Sequence, residues 1–227
     1  MADLLFKNLA LLDVAAGRLR SGYQVLVRDN LIARVERGTI RTKAKTVDLG
    51  GRTLMPGLID CHNHVTTQIL SGPPTVLPSL ATATALVTLG RMVQRGFTTL
   101  RDCRGADLGH KQAIEQGLFV GPRLFVSGRS ISQSGGGGEI RVKSDLRPLC
   151  ACTYLESEAG RIADGVDAVR RAVRDEIRLG ADQIKIMASG GIASASDAIG
   201  DLQYSMEELR VAVDEATRSN TYGHLEQ

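Results

Sequence analysis

From residue 58 onward the chain alternates short apolar runs with helix-patterned stretches that stop at glycine, and few architectures accept that order. Leu58-Ile59-Asp60-Cys61-His62 is a short apolar strand running into polar residues. Ser79 is placed to cap a helix from about Leu80 to Arg95, closed by Gly96. Phe97 to Arg101 reads as a second strand, Asp107 to Gln116 as a short helix, and Arg123 to Ser127 as a third strand. Asp164 is placed to cap a helix whose Val166, Val169, Val173 and Ile177 share one stripe, with Gly180 at its end. Asp182 to Ala188 is a fourth strand. Ser205 and Glu208 match a capping box for a helix to about Ser219, and Thr221-Tyr222 opens a fifth strand. Such alternation implies an α/β fold with a parallel sheet and right-handed crossovers; an open doubly wound sheet and a (β/α) barrel both satisfy it.

Residues 1–55 have a different texture. Leu4 to Leu12 is mostly apolar, Gln24 to Val27 and Leu31 to Val35 flank an Asp29-Asn30 turn, and Val47 to Met55 is extended but broken by Gly50-Gly51. No helical period of useful length occurs there, so a small β-domain over 1–55 is expected, divided from 56–227 at Pro56-Gly57. A long irregular stretch from Gly128 to about Ala163 contains four consecutive glycines, Gly135 to Gly138. A connection of that length in a compact domain is usually a binding loop or a lid, or else disordered. It is not read as a phosphate loop, since no Gly-Lys-Ser/Thr follows.

Several function classes are excluded. The net charge is only +3, basic residues are scattered, and aromatics make up 4% with no tryptophan, so no nucleic-acid platform is expected. No run approaches the ~18 apolar residues of a membrane span. Met1-Ala2-Asp3 lacks the basic start of a signal peptide. Four irregularly spaced cysteines fit free thiols in a reducing cytoplasm better than a disulfide framework, and Cys150-Ala151-Cys152 alone is a weak metal signal.

Three side chains stand out chemically. His62 and His64 are two apart at the end of a strand, so alternation sends both imidazoles to one face, able to grip one cation. The carboxyl end of a parallel strand is where α/β enzymes place their sites. The plainer alternative is a pair of surface or structural histidines. Lys185 alternates with Ile184 and Ile186; if the isoleucines face helices, the lysine faces inward. Lost hydration there depresses its pKa, and a neutral amine can add carbon dioxide to give a carbamate that bridges cations. The competing reading is a buried ion pair with Asp60 or Asp102. Asp102 itself is placed either to hold a histidine's second nitrogen or to pair with Arg101 or Arg104.

Leu54-Met55-Pro56-Gly57-Leu58-Ile59-Asp60-Cys61-His62-Asn63-His64 is similar to the signature of the amidohydrolase superfamily. Gly96-Phe97-Thr98-Thr99-Leu100-Arg101-Asp102, Gly121-Pro122-Arg123-Leu124 and Gly180-Ala181-Asp182-Gln183-Ile184-Lys185-Ile186 also resemble it, most closely its prolidase-like branch. The resemblance implies a small β-sandwich followed by a (β/α)8 barrel, and a site with two divalent cations, usually zinc. His62 and His64 would bind one cation, and carbamylated Lys185 would bridge both. The implied substrates are small: dipeptides and N-acyl amino acids, cleaved at a C–N bond. Two further histidines and a general acid/base aspartate belong to later strands, and no motif for them occurs up to Gln227. Position 137 is Gly where this branch commonly has histidine, Glu139 replaces an aspartate, Arg104 replaces a glycine, and the setting of His224 does not match the family pattern.

About 170 residues follow position 55, against the ~250 of a full barrel, so an incomplete barrel, about the first half, is expected. Its open edges should drive association, as a homo-oligomer or with the missing half, and the chain alone should turn over little substrate. The alternatives kept are a non-catalytic protein on the same scaffold and a barrel deaminase of the same superfamily.

Overall fold

The computed structural model describes residues 3–66, 77–139, 141, 144–146, 160–191 and 197–226, with 224–226 described by main chain only. Cys150 and Cys152 lie outside the described residues. The chain divides into two compact units, Met1–Gly57 and Leu58–Gln227.

The first unit is one mixed sheet. Its strands are β1 (Leu4–Asp13), β2 (Arg18–Arg28), β3 (Leu31–Arg37), β4 (Lys45–Asp48) and β5 (Thr53–Leu54). β3, β2 and β1 run antiparallel in that order, and β1 pairs in parallel with β4 and β5 on its other side. Arg28 pairs with Leu31, which leaves Asp29-Asn30 as the turn read from sequence. Asp29 takes a left-handed φ of 53°, which a short polar side chain tolerates. Leu5, Leu26 and Ile40 form its small core. The expected sandwich is not what the described residues form. A sandwich needs a second sheet over the first, whereas all five strands join one sheet, and Leu31 and Ile32 stay 69% exposed.

The second unit is α/β with parallel strands. In chain order it contains β6 (Leu58–Asn63), α1 (Pro78–Gln94), β7 (Phe97–Asp102), α2 (Leu108–Glu115), β8 (Arg123–Val126), β9 (Ile131–Ser132) and β10 (Arg161–Ile162). It continues with α3 (Val166–Arg178), β11 (Ile184–Met187), α4 (Met206–Arg218) and β12 (Gly223–Glu226). The strands form two parallel sheets, β6-β7-β8 and β10-β9-β11-β12. Asp182 joins them: its N–H donates to the Val126 carbonyl at 2.7 Å, and its carboxylate accepts from Val126 N–H at 2.9 Å and from Lys111 Nζ at 2.6 Å. No closed barrel forms among the described residues.

Apolar positions two apart on each strand meet a helix stripe, and that pairing fixes which way the other residues point. Leu100, Leu124 and Val126 pack with Ala85 and Leu89 of α1. Ile184 and Ile186 pack with Val169 and Val173 of α3 and with Ala212 and Ala216 of α4. Leu89 is fully buried. Leu89→Ala should therefore cost about 2–4 kcal/mol, read as a lower urea midpoint at unchanged slope.

Two helix starts differ from the sequence reading. α1 begins at Pro78 with Leu77 as N-cap and no side-chain cap, because proline at the first position removes an N–H that would otherwise need a partner. Asp164 does not cap α3, whose N-cap is Gly165. Its carboxylate instead accepts from Ser134 N–H at 2.9 Å and from the Ser134 hydroxyl, anchoring the glycine-rich stretch. The Ser205–Glu208 capping box forms as read. Gly138 and Gly160 pass so close that a Cβ on Gly160 would lie 2.7 Å from the Gly138 Cα, so the approach depends on glycine.

Candidate metal centre

β6 carries His62 and ends one residue before His64. Their ring centroids are 5.2 Å apart, edge to face, so the two imidazoles lie side by side. Burial lowers the His62 pKa, and the nearby Lys185 and Arg101 charges lower it further, against an opposing pull from Asp60. His64 is held down to about 4, chiefly by burial and then by the Arg104 charge, with a main-chain hydrogen bond at Arg104 opposing. Both rings are therefore neutral near pH 7, the form in which imidazole binds a cation. The Nδ1 of His64 is buried and has no hydrogen-bond partner among the described residues.

Lys185 is 1% exposed at the second position of β11. Its neighbours Ile184 and Ile186 face α3 and α4, so Lys185 takes the opposite, inner side. Burial lowers its pKa to about 8, with the Arg104 and Arg101 charges lowering it further and the Cys103 thiol pulling the other way. The Lys185 charge acts on both imidazoles. All three side chains singled out in the sequence are thus near enough for the lysine's charge to be felt at both rings. Among the described residues no group of three histidine, cysteine or carboxylate side chains is placed to hold a metal ion. His224, on β12, is the register partner of Lys185.

The two aspartates weighed as partners for Lys185 are engaged elsewhere. Asp60 accepts from His62 N–H at 3.1 Å and from Asn63 Nδ2 at 2.8 Å. Asp102 is fully buried and accepts from the main-chain N–H groups of Val65 at 2.7 Å and of Arg104 and Ala106, both at 3.1 Å. It braces the turn after β7 rather than orienting a histidine. Burial pushes its carboxyl up to about 7 against those three donors. At position 137 a Cβ would lie 2.9 Å from the Met187 methyl, so a histidine there would require Met187 to move. Glu139 pairs with Arg141 at 2.6 Å.

Arg101 does not pair with Asp102, the partner its place in the sequence suggests. Its Nε instead donates to the Cys61 carbonyl at 2.6 Å, and its Nη1 to the Tyr222 hydroxyl at 3.2 Å. The available signal was parity: Leu100 faces α1, so Arg101 faces inward beside the histidines. A separate cavity of about 440 Å³, lined by Thr66, Asp107, His110, Arg129 and Glu176 among others, includes none of the three candidate ligands.

The sequence matches the model of the amidohydrolase family over residues 53–225, a span holding both histidines, Lys185 and β6 through β11. The chain belongs to the amidohydrolase family. That family is generally metal-dependent. This amidohydrolase is 39% identical over 180 residues to ochratoxinase of Aspergillus niger, covering 74% of this chain and 37% of that protein. A shorter match, 40% over 88 residues, links it to adenine deaminase of Serratia proteamaculans, covering 38% of this chain and 14% of that one. Among solved structures it superimposes on an amidohydrolase with TM-score 0.93 and 46% identity, covering 98% of this chain and 55% of that one. It superimposes equally, at TM-score 0.93 and 42% identity, on a prolidase complexed with N-methylphosphonate-L-proline, again 55% of whose chain is covered. The chain spans about half the length of these structures and 37% of the curated ochratoxinase.

Proposed function

We propose that this amidohydrolase is the metal-holding N-terminal part of a hydrolase that cleaves the C–N bond of a dipeptide-like or N-acyl amino acid substrate. His62 and His64 would hold one divalent cation, and Lys185, as a carbamate, would bridge it to a second, zinc being the expected metal. What carries the reading is a neutral, neighbouring imidazole pair on which the charge of a dehydrated lysine acts. The donor set fits such a group. His64 Nδ1 is buried with no hydrogen-bond partner among the described residues, and burying a polar atom unpaired is costly. The relatives named ochratoxinase and prolidase support an amide bond as the target.

A divalent cation held there supplies Lewis acidity toward a carbonyl and lowers the pKa of water. The chain's own residues prepare the place for it. Burial keeps His62 and His64 unprotonated at neutral pH, so no proton has to leave before they bind. The same burial makes the Lys185 amine nucleophilic toward carbon dioxide near pH 8: its nitrogen lone pair adds to the carbon, and a proton leaves nitrogen. Arg104 and Arg101 favour the anionic carbamate that results, as their charges disfavour the ammonium.

Purified chain treated with zinc and carbon-13 bicarbonate tests this. We expect retained zinc and a labelled carbamate carbon that is absent from Lys185→Met. Zinc no higher than in a His62→Ala/His64→Ala double variant would reject the site. Retained zinc with Lys185 unmodified would favour the one-metal deaminase reading instead.

A further inference from the structure

We infer that Arg101 is a positioning residue for the metal ligand His62. The inference rests on the metal-site reading above. Asp60 pairs with Leu100 and Asn63 with Asp102, so three steps along β6 match two along β7. One extra residue is therefore accommodated at Cys61-His62, and neither has a register partner on β7. A bulge of this kind is uncommon between parallel strands; bulges gather at active sites, where they re-aim a side chain.

The peptide unit between Cys61 and His62 is gripped from both ends by side chains. Arg101 Nε donates to its carbonyl at 2.6 Å, and its N–H donates to Asp60 Oδ1 at 3.1 Å. Below it the ladder holds Asp60, and above it Cys103 N–H donates to the Asn63 carbonyl at 2.8 Å. The second hydrogen bond of Arg101, to the Tyr222 hydroxyl at 3.2 Å just before β12, fixes the guanidinium in its turn. The orientation of this one peptide sets the direction of the His62 Cα–Cβ bond, and hence where the imidazole points relative to His64. Ordinary ladder pairing does not set it; Arg101 and Asp60 do.

Charge and geometry make opposite forecasts, which gives a clean test. Arg101 is a cation beside a cation site. If it acted through charge alone, removing it would tighten metal binding. If it acts by holding the peptide, removing it weakens binding, by the 10–100-fold typical of groups that orient a ligand. The experiment is cobalt(II) titration of the full chain, wild type against Arg101→Gln, Arg101→Lys and Tyr222→Phe. Visible absorption reports ligand geometry, and thermal unfolding checks the fold.

Arg101→Gln is expected to keep its unfolding temperature within a few degrees yet bind cobalt 10–100-fold more weakly, with a shifted visible band. Arg101→Lys, which keeps a donor without the planar fork, should recover part of the affinity. Tyr222→Phe, which spares the Cys61 contact, should lose threefold or less. If Arg101→Gln does not fold, Arg101→Lys carries the same comparison with wild type. Equal or tighter cobalt binding with an unmoved band overturns the inference alone. A wild-type chain that binds no cobalt overturns the metal-site reading and this inference with it.

Discussion

Lys185→Met is expected to abolish metal-bridging capacity while making the apo chain more stable. Methionine matches the length of the lysine stem and fills the same buried space, but it has no charge to dehydrate and no nitrogen to carboxylate. Lys185 is 1% exposed and its pKa is lowered from 10.5 to about 8. In linkage terms the folded state releases the proton more readily than the unfolded one. Below about pH 8 the lysine is charged in both states and the folded chain bears the whole cost of burying it. Between about 8 and 10.5 the unfolded chain binds more protons, so wild-type stability rises with pH and the cost fades.

The variant's gain should thus be on the order of 2 kcal/mol at pH 7 and vanish toward pH 10.5. Urea melts of metal-free protein at the two pH values measure it. Zinc uptake by the same variant should fall by more than about 100-fold, since a ligand is lost outright rather than misoriented. A Lys185→Met chain less stable than wild type at pH 7 would overturn the expectation that the buried ammonium costs stability.

Asp102→Ala is expected to be the most damaging single change to the fold. Its carboxyl accepts three main-chain N–H groups, from Val65, Arg104 and Ala106, within a fully buried turn. Truncation leaves three donors without partners, each costing about 1–3 kcal/mol when water cannot reach it. A loss of about 3–5 kcal/mol follows, allowing for partial relaxation. Asp102→Asn should be only partly tolerated, because its amide NH2 must face one of those donors. Urea unfolding of both variants measures these costs; a loss under about 1 kcal/mol for Asp102→Ala would show that the turn holds itself. Since Val65 follows His64 directly, either variant should also weaken zinc binding, separating Asp102 from changes that touch stability alone.

Much of this architecture was legible because it rests on local periodicity. The strand–helix order after residue 58, the Asp29-Asn30 turn and the Ser205–Glu208 capping box depend on neighbours within a few positions, and all three stand in the structure. The inward direction of Lys185 follows from the same logic, because two flanking isoleucines can satisfy helices only on the other side. Where a residue had a choice of distant partners, the sequence left the matter open. Asp102 has backbone donors, arginines and a histidine all within plausible reach by chain order, and Asp164 has both a helix start and a remote serine. The expected sandwich depended on a second sheet, which local pattern cannot promise.

By itself the sequence determined the alternation of elements, the turn at Pro56-Gly57 and the closeness of two imidazoles along the chain, since each is a matter of spacing along a single segment. Only the tertiary structure decided that Lys185 acts on those imidazoles, that Asp102 braces a turn, and that the Cys61-His62 peptide leaves the ladder to be held by Arg101 and Asp60. Those outcomes turn on register between strands and on competition among partners dozens of residues apart, and both are settled by packing.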